Sequence, residues 1–284
     1  MRILILGVTG MLGNAMFRML SEDPALTVFG SARSDSAKSY FKENLRQQIV
    51  CGVDVEHHDS LVSVFGKVRP EVVINCIGLV KQVVDVEDPL QAIPINTILP
   101  HRLAALCKVA GARLVHISTD CVFAGAKGNY VESDFPDAND LYGRSKLLGE
   151  VDYSHAVTLR TSIVGHELLG HRSLIGWFLA QRGQVKGYSN AVFSGLPTVE
   201  LSRVIRDFVL PHVELRGVYH VAAAPINKYE LLKLVAKVYG SEVEITPDST
   251  LIIDRSLNGG RFALATGYVA PSWNELINQM YKFN

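Results

Sequence analysis

Met1-Arg2-Ile3-Leu4-Ile5-Leu6-Gly7-Val8-Thr9-Gly10-Met11-Leu12-Gly13 opens the chain. The apolar run up to Leu6 has the pattern of a strand buried on both faces. Glycines at 7, 10 and 13 then punctuate the start of a helix-like stretch, Leu12 to Leu20. Gly7 permits a tight turn. Gly10 lets a pyrophosphate approach the backbone, and Gly13 lets the helix pack closely on the strand. The helix N-terminus offers free N–H groups and a partial positive charge. Gly7, Thr9, Gly10, Met11, Leu12 and Gly13 are therefore expected to cradle a dinucleotide. The spacing is G-x-x-G-x-x-G rather than G-x-G-x-x-G, and a glycine-rich turn without a ligand is the alternative. Its place directly after an apolar strand makes the motif far more specific than the glycines alone.

Apolar runs recur at Leu26–Phe29, Glu71–Asn75, Arg113–Ile117, Ala156–Arg160 and Gly217–Val221, with helix-like stretches such as Ile98–Ala110 between them. Strands alternating with helices imply βαβ units, and right-handed crossovers put helices on both faces. The fold class is α/β: a Rossmann-type, doubly wound parallel sheet with a small C-terminal substrate lobe. Residues 1–165 are read as the NAD(P)-binding domain, with a return to it at 199–222. Residues 166–198 and 223–284 are read as the lobe. Within it, Ser173–Gln181 and Lys228–Tyr239 are predicted helices, and Gly183–Pro197 a loop.

Across its 284 residues the chain carries 28 basic and 28 acidic side chains. That balance gives no electrostatic footprint for a nucleic acid polymer or an anionic membrane. No apolar run reaches the roughly 20 residues needed to cross a bilayer. Cys51, Cys76, Cys107 and Cys121 contain no C-x-x-C pair. They read as buried free thiols in a reducing cytoplasm. The histidines lack carboxylate or cysteine partners at ligand spacing, so no metal site is expected.

Cofactor choice turns on the end of the second strand, Phe29-Gly30-Ser31-Ala32-Arg33-Ser34-Asp35. An acidic residue there would bond the ribose hydroxyls of NAD; a cation suits the extra phosphate of NADP. Arg33 and Ser34 favour NADP over NAD, provided that Arg33 is not simply a solvated loop residue.

Tyr142-Gly143-Arg144-Ser145-Lys146 is a Y-x-x-x-K motif, which on a helix puts both side chains on one face. A phenol is a poor acid at neutral pH, and a neighbouring ammonium lowers its pKa. The phenol could then exchange a proton with a sugar oxygen as hydride moves. By itself the motif is also an ordinary surface pair. Leu114-Val115-His116-Ile117-Ser118-Thr119-Asp120 reads as a strand ending in polar residues, where parallel sheets bind ligands. Thr119 could bond the reacting oxygen, with Ser118 and Asp120 in support; an N-cap or turn is the alternative.

Together the glycine motif, Ser118-Thr119-Asp120-Cys121-Val122-Phe123, Tyr142 to Glu150 and Leu159-Arg160-Thr161-Ser162 resemble the dTDP-4-dehydrorhamnose reductase family of extended short-chain dehydrogenases/reductases. The resemblance covers most of the chain and is strongest over the first 165 residues or so. It implies a sheet of about seven strands and hydride transfer from NAD(P)H to a nucleotide-linked 4-keto-6-deoxyhexose. It implies Thr119, Tyr142 and Lys146 as the catalytic trio. Asp54-Val55 resembles the pair that contacts adenine, and Cys76-Ile77-Gly78 a segment running beside the cofactor, with Tyr142 and Lys146 also touching it. Asn96 occupies the place of a structural helix asparagine. Asp120, Cys121, Val122, Phe123 and Arg255 are implied substrate contacts. Cys121 departs from the family's usual tyrosine, and Ile163, Val164 and His166 replace expected aromatic residues, all where substrate is expected.

Three alternatives stand beside this reading. A 4,6-dehydratase would need a second carboxylate, and Asp120 is followed by Cys121 instead. A nucleotide-sugar 4-epimerase holding NAD tightly shares the Tyr/Lys pair. A branch resembling these reductases serves as a regulatory subunit of methionine adenosyltransferase, binding nicotinamide nucleotide without turnover. Similar enzymes are commonly dimers, so a homodimer is one expected assembly.

Overall fold

The computed structural model describes residues 1–79 and 87–284. The chain divides into two compact units. The first comprises Met1–Ser118, Asp140–Leu159 and Val213–Val218; the second comprises Thr119–Asn139, Arg160–His212 and Tyr219–Asn284.

The strands of the central sheet are β1 (Arg2–Leu6), β2 (Thr27–Ser31), β3 (Ile49–Val50), β4 (Val72–Asn75), β5 (Arg113–Thr119) and β6 (Ala156–Thr161). The sheet is parallel and seven-stranded, in the order β11-β6-β5-β4-β1-β2-β3, where β11 is Gly217–His220. Residues Ile3 to Leu6 are fully buried, as the unbroken apolar run requires. The register pairs Ile3 with Val28 on one side and Val72 on the other. Strand order reverses at β1, and the glycine turn leaves its carboxyl end, where doubly wound sheets bind ligands.

The helices of this unit are α1 (Met11–Leu20), α2 (Glu43–Arg46), α3 (His58–Val68), α4 (Pro89–Ala92), α5 (Leu99–Ala110) and α6 (Leu141–Leu148). Between α4 and α5 the helix runs through a π-turn, Ile93–Ile98. Leu12, Met16, Phe17 and Leu20 form the buried stripe of α1. Leu61, Val64 and Phe65 of α3 join Leu99, Leu103 and Cys107 of α5 in one core cluster with Leu4, Leu6 and Val73. Each such side chain contributes about 1.5–3 kcal/mol on full burial. All four cysteines are free thiols.

In the second unit the strands are short: β7 (Ile163–Val164), β8 (Gln184–Tyr188), β9 (Ala191–Phe193), β10 (Leu196–Pro197), β12 (Ile226–Asn227), β13 (Glu244–Asp248) and β14 (Ile253–Asp254). They pair as β10-β7, β13-β8 and β12-β9-β14. The helices are α7 (Leu174–Leu179), α8 (Thr198–Val204), α9 (Lys228–Tyr239), α10 (Gly260–Thr266) and α11 (Trp273–Phe283). Helix α9 occupies the predicted span. Asn227 caps its start by accepting from the Glu230 amide at 2.8 Å. Gly240 ends it at φ 65°, in the left-handed region that glycine adopts without strain.

One sequence expectation differs from this picture. The segment Gly183–Pro197, read as a loop, contains β8, β9 and β10. The inward positions of β8 are Val185 and Gly187, and Gly187 has no side chain to signal alternation. It is glycine because a methyl there would sit 2.9 Å from Tyr229 Cα.

Candidate functional site

The glycine turn forms as its spacing requires. Gly7 has φ +86°, and a methyl on it would lie 2.7 Å from Ile77. Its amide donates to Ser31 Oγ at 3.2 Å, and its carbonyl accepts from Gly10 N at 3.1 Å. A methyl at Gly13 would run into the Gly7 carbonyl. Gly10 is the N-cap of α1 and supplies no capping side chain, so no side chain competes for the first-turn N–H groups. Thr9 and Gly10 are exposed. Asn14, one turn in, is buried, and its Nδ2 finds no acceptor among the described residues. An open helix N-terminus, a backbone with no room for Cβ atoms and an orphaned amide fit a dinucleotide pyrophosphate.

At the end of β2, Arg33 and Ser34 are exposed. Ser34 Oγ accepts from Ser36 N at 3.2 Å, while Asp35 pairs with Lys38 at 2.9 Å and is thereby engaged away from Arg33. Asp54 follows β3. Its carboxylate accepts from Glu56 N at 3.1 Å and lies 3.0 Å from His57 Nδ1. The Glu56 amide, then His57 and Arg33, hold this carboxyl below its ordinary pKa against the opposing effect of burial. The Val55 side chain belongs to the core, leaving its backbone for any ligand.

Helix α6 carries the Y-x-x-x-K motif. Asp140 caps it, accepting from Gly143 N at 2.8 Å. Tyr142 and Lys146 follow one turn apart, both buried. Lys146 Nζ donates to the Ile117 carbonyl of β5 at 2.8 Å. Burial lowers its pKa to about 8, opposed by Glu150 and then Cys76. Burial drives the Cys76 thiol up to about 12.

Asn96 lies in the π-turn, a geometry frequent at functional sites. Its Oδ1 accepts from Leu79 N at 2.9 Å, and its Nδ2 donates to Leu79 O and Ser145 Oγ, each at 3.2 Å. Ser145 Oγ in turn donates to the Tyr142 carbonyl at 3.0 Å. Asn96 thus ties the Cys76–Leu79 segment to α6. A methyl at Gly78 would sit 3.7 Å from Lys146 Nζ, so the Gly78 backbone runs beside the ammonium.

Behind this layer, His116 is fully buried, with Nδ1 3.2 Å from Asn75 Nδ2. The amide donates, which leaves the proton on Nε2, where no acceptor is found among the described residues. Burial, then Lys146 and His101, hold its pKa well below the ordinary value.

The second unit holds the remaining expected residues. Thr119 caps the short turn Asp120–Val122: its Oγ1 accepts from Cys121 N at 3.1 Å and donates to Asp120 Oδ1 at 3.2 Å. The N-cap reading of this threonine therefore describes its local geometry, and its hydroxyl proton already has an acceptor. Asp120 is buried, and burial raises its pKa against Lys228 and Arg255, which lower it. Val122 and Phe123 are fully buried, so their side chains are core and only their backbone is left for a substrate. Phe123 stacks on Tyr130 with centroids 4.1 Å apart, and its carbonyl accepts from Arg255 Nε at 2.8 Å.

Lys228 escaped sequence reading. Half-buried, it lies 3.5 Å over the Phe193 ring, and burial lowers its pKa to about 8 against the opposing charge of Asp120. Nothing in a lysine at the start of an amphipathic helix signals that placement. Among the described residues, no group of three or more His, Cys, Asp or Glu could hold a metal ion, and no helix is long and apolar enough to cross a membrane.

A family model described as the RmlD substrate binding domain matches residues 1–257. The beta subunit of methionine adenosyltransferase 2 from Danio rerio is 28% identical over 252 residues, covering 84% of this chain and 74% of that protein. A probable low-salt glycan biosynthesis reductase, Agl14, from Haloferax volcanii is 34% identical over 154 residues, covering 54% of this chain and 47% of that protein. The chain spans about half or less of several other curated relatives it matches, 41% of the mouse beta subunit among them. The crystal structure of dTDP-4-dehydrorhamnose reductase from Bacillus anthracis, in complex with NADP, superposes with a TM-score of 0.81 at 23% identity, covering 100% of this chain and 99% of that one.

Proposed function

This chain belongs to the RmlD substrate binding domain family, and from that premise we propose that it catalyses NAD(P)H-dependent reduction of a nucleotide-linked keto sugar, a 4-keto-6-deoxyhexose, with Tyr142 as the proton donor. The observation that carries this reading is the placement of Lys146. It lies one turn from Tyr142, buried, with its ammonium on a backbone carbonyl and its pKa lowered to about 8. A lysine so placed is costly to bury on stability grounds alone.

A nicotinamide held there would supply the hydride for the ketone carbon. Tyr142 gives its phenolic proton to the ketone oxygen as that oxygen gains charge, and Lys146 favours the resulting phenolate. Thr119 is assigned to the reacting oxygen. The N–H groups of Gly7 to Gly13 take the pyrophosphate, Arg33 and Ser34 the additional phosphate of NADP, and Asp54 and Val55 the adenine. Cys76 to Gly78 line the path of the cofactor. The second unit is the sugar-nucleotide lobe, with Asp120, Cys121, Phe123 and Arg255 its principal contacts. The enzyme would work in the cytoplasm, supplied by its NADPH pool. The test is loss of NADPH and NADH absorbance with a panel of nucleotide-linked 4-keto-6-deoxyhexoses; no oxidation with any of them, despite nicotinamide binding, would overturn the proposal.

A second reading is favoured by one observation, the 28% identity to the zebrafish methionine adenosyltransferase 2 beta subunit over 84% of this chain. In that case the chain would bind nicotinamide nucleotide and regulate a partner enzyme. Coelution with a methionine adenosyltransferase catalytic subunit, unaffected by Tyr142→Phe, would favour it.

A further inference from the structure

Glu150 takes no part in the roles assigned above, yet its carboxylate is held firmly. Ser118 Oγ donates to Glu150 Oε1 at 2.7 Å. The preceding residue on β5, Ile117, accepts from Lys146 Nζ at 2.8 Å. Two hydrogen bonds one residue apart on the strand therefore grip both ends of the segment Lys146–Glu150. Between them, Gly149 packs so tightly on the Asn96 carbonyl that no Cβ would fit.

Among the described residues, Lys146 interacts electrostatically with Glu150, two residues past the end of α6, with Cys76 after β4 and with His116 on β5, and Tyr142 stands one turn before it on α6. Cys76 is kept a neutral thiol, because burial pushes it up to about 12. His116 is kept neutral because burial, first, and Lys146 hold its pKa well below the ordinary value. Among the described residues, Glu150 first and then Cys76 oppose the effect of burial on Lys146, and Cys76 is a neutral thiol.

We infer that Glu150, fixed by Ser118, is a positioning residue that holds Lys146 as an ammonium without touching substrate or cofactor. As a part in catalysis this rests on the reductase reading; as a statement about the charge of Lys146 it does not.

The experiment is a side-chain NMR titration of lysine-labelled protein, with Lys146→Arg used to assign the Lys146 signal, alongside pH–rate profiles. Glu150→Gln preserves size and an oxygen acceptor for Ser118 while removing the charge. Its Lys146 midpoint is expected to move to lower pH by about one pH unit, and the alkaline limb of kcat to move with it. Glu150→Asp should restore part of that change. Ser118→Ala, which removes one hydrogen bond to the carboxylate but keeps its charge, should give a smaller change in the same direction, and it decides the matter should Glu150→Gln fail to fold. An unchanged Lys146 midpoint in both variants overturns the inference. A wild-type protein inactive on every keto sugar would sink the reductase reading instead, and the NMR midpoints would still judge Glu150.

Discussion

Lys146 Nζ donates to a backbone acceptor, the Ile117 carbonyl, at 2.8 Å. A carbonyl carries no formal charge, so this bond orients the ammonium without the strong stabilisation that a paired carboxylate would give. The ammonium is left within reach of titration, at about 8, and its position is set by the strand whose last residues are Ser118 and Thr119.

Tyr142 is the side chain whose chemistry that ammonium would serve. Replacing it with Phe removes the proton donor and keeps the ring. We expect kcat to fall by about 10²–10⁴-fold, the usual worth of a positioned general acid. The dissociation constant for NADPH should change by less than about threefold. Steady-state turnover and fluorescence titration of the cofactor would measure the two effects separately. Wild-type turnover by the variant would remove Tyr142 from the reaction.

Asn96 holds the architecture around the pair through three hydrogen bonds of its carboxamide, two to Leu79 and one to Ser145. Asn96→Ala would forfeit all three and leave buried groups unsatisfied, at about 1 kcal/mol or more for each. A destabilisation of about 3 kcal/mol is expected, visible as a lower denaturation midpoint in urea. Because α6 loses its tie to the segment after β4, kcat should fall as well. A midpoint matching wild type would mean that Asn96 is dispensable to the first unit.

The elements most legible in the sequence were those whose signal is local. The β1–α1 turn announces itself by Gly7, Gly10 and Gly13, and each occupies a position where a side chain would strain, crowd or cap. Helix α9 was readable to the residue because Asn227 and Gly240 punctuate it. The unread features depend on residues far apart in sequence. Strand β8 pairs with β13, sixty positions away, and hides its alternation behind Gly187. The Ser118–Glu150 bond joins residues 32 positions apart. The buried Asn75–His116 pair sits in two runs that otherwise read as plain hydrophobic strand, and no composition signal couples them.

Arg33 offers a test of cofactor choice. It is exposed at the end of β2, and the nearby Asp35 is engaged by Lys38. If Arg33 meets the additional phosphate of NADP, Arg33→Ala should weaken NADPH binding by about tenfold, or ~1.4 kcal/mol, and leave NADH binding nearly unchanged. Equal weakening of both would assign Arg33 to a general electrostatic role; no change in either would make it a solvated loop residue. Calorimetry with each cofactor distinguishes the three.

His220 predicts how the second unit responds to acid. It is fully buried; its Nδ1 lies 3.0 Å from the Tyr130 carbonyl and its Nε2 3.3 Å from Arg160 Nη1. The first nitrogen must therefore donate and the second accept, which requires the neutral ring. Burial, and then the Arg160 charge, lower its pKa from 6.5 to about 4. The unfolded chain therefore binds this proton more readily than the folded one. The stabilising contribution is fully present above about pH 6.5 and is lost as pH falls towards 4, with a span of about 3 kcal/mol. Asn at this position can donate to Tyr130 and accept from Arg160 without titrating. His220→Asn should thus lose less stability than wild type between pH 7 and pH 4.5, as followed by thermal melts across that range. Some slope should remain, because His116 is held neutral in the same sense. Parallel melting curves for the two proteins would mean that the folded protein binds a proton at His220 as readily as the unfolded chain does.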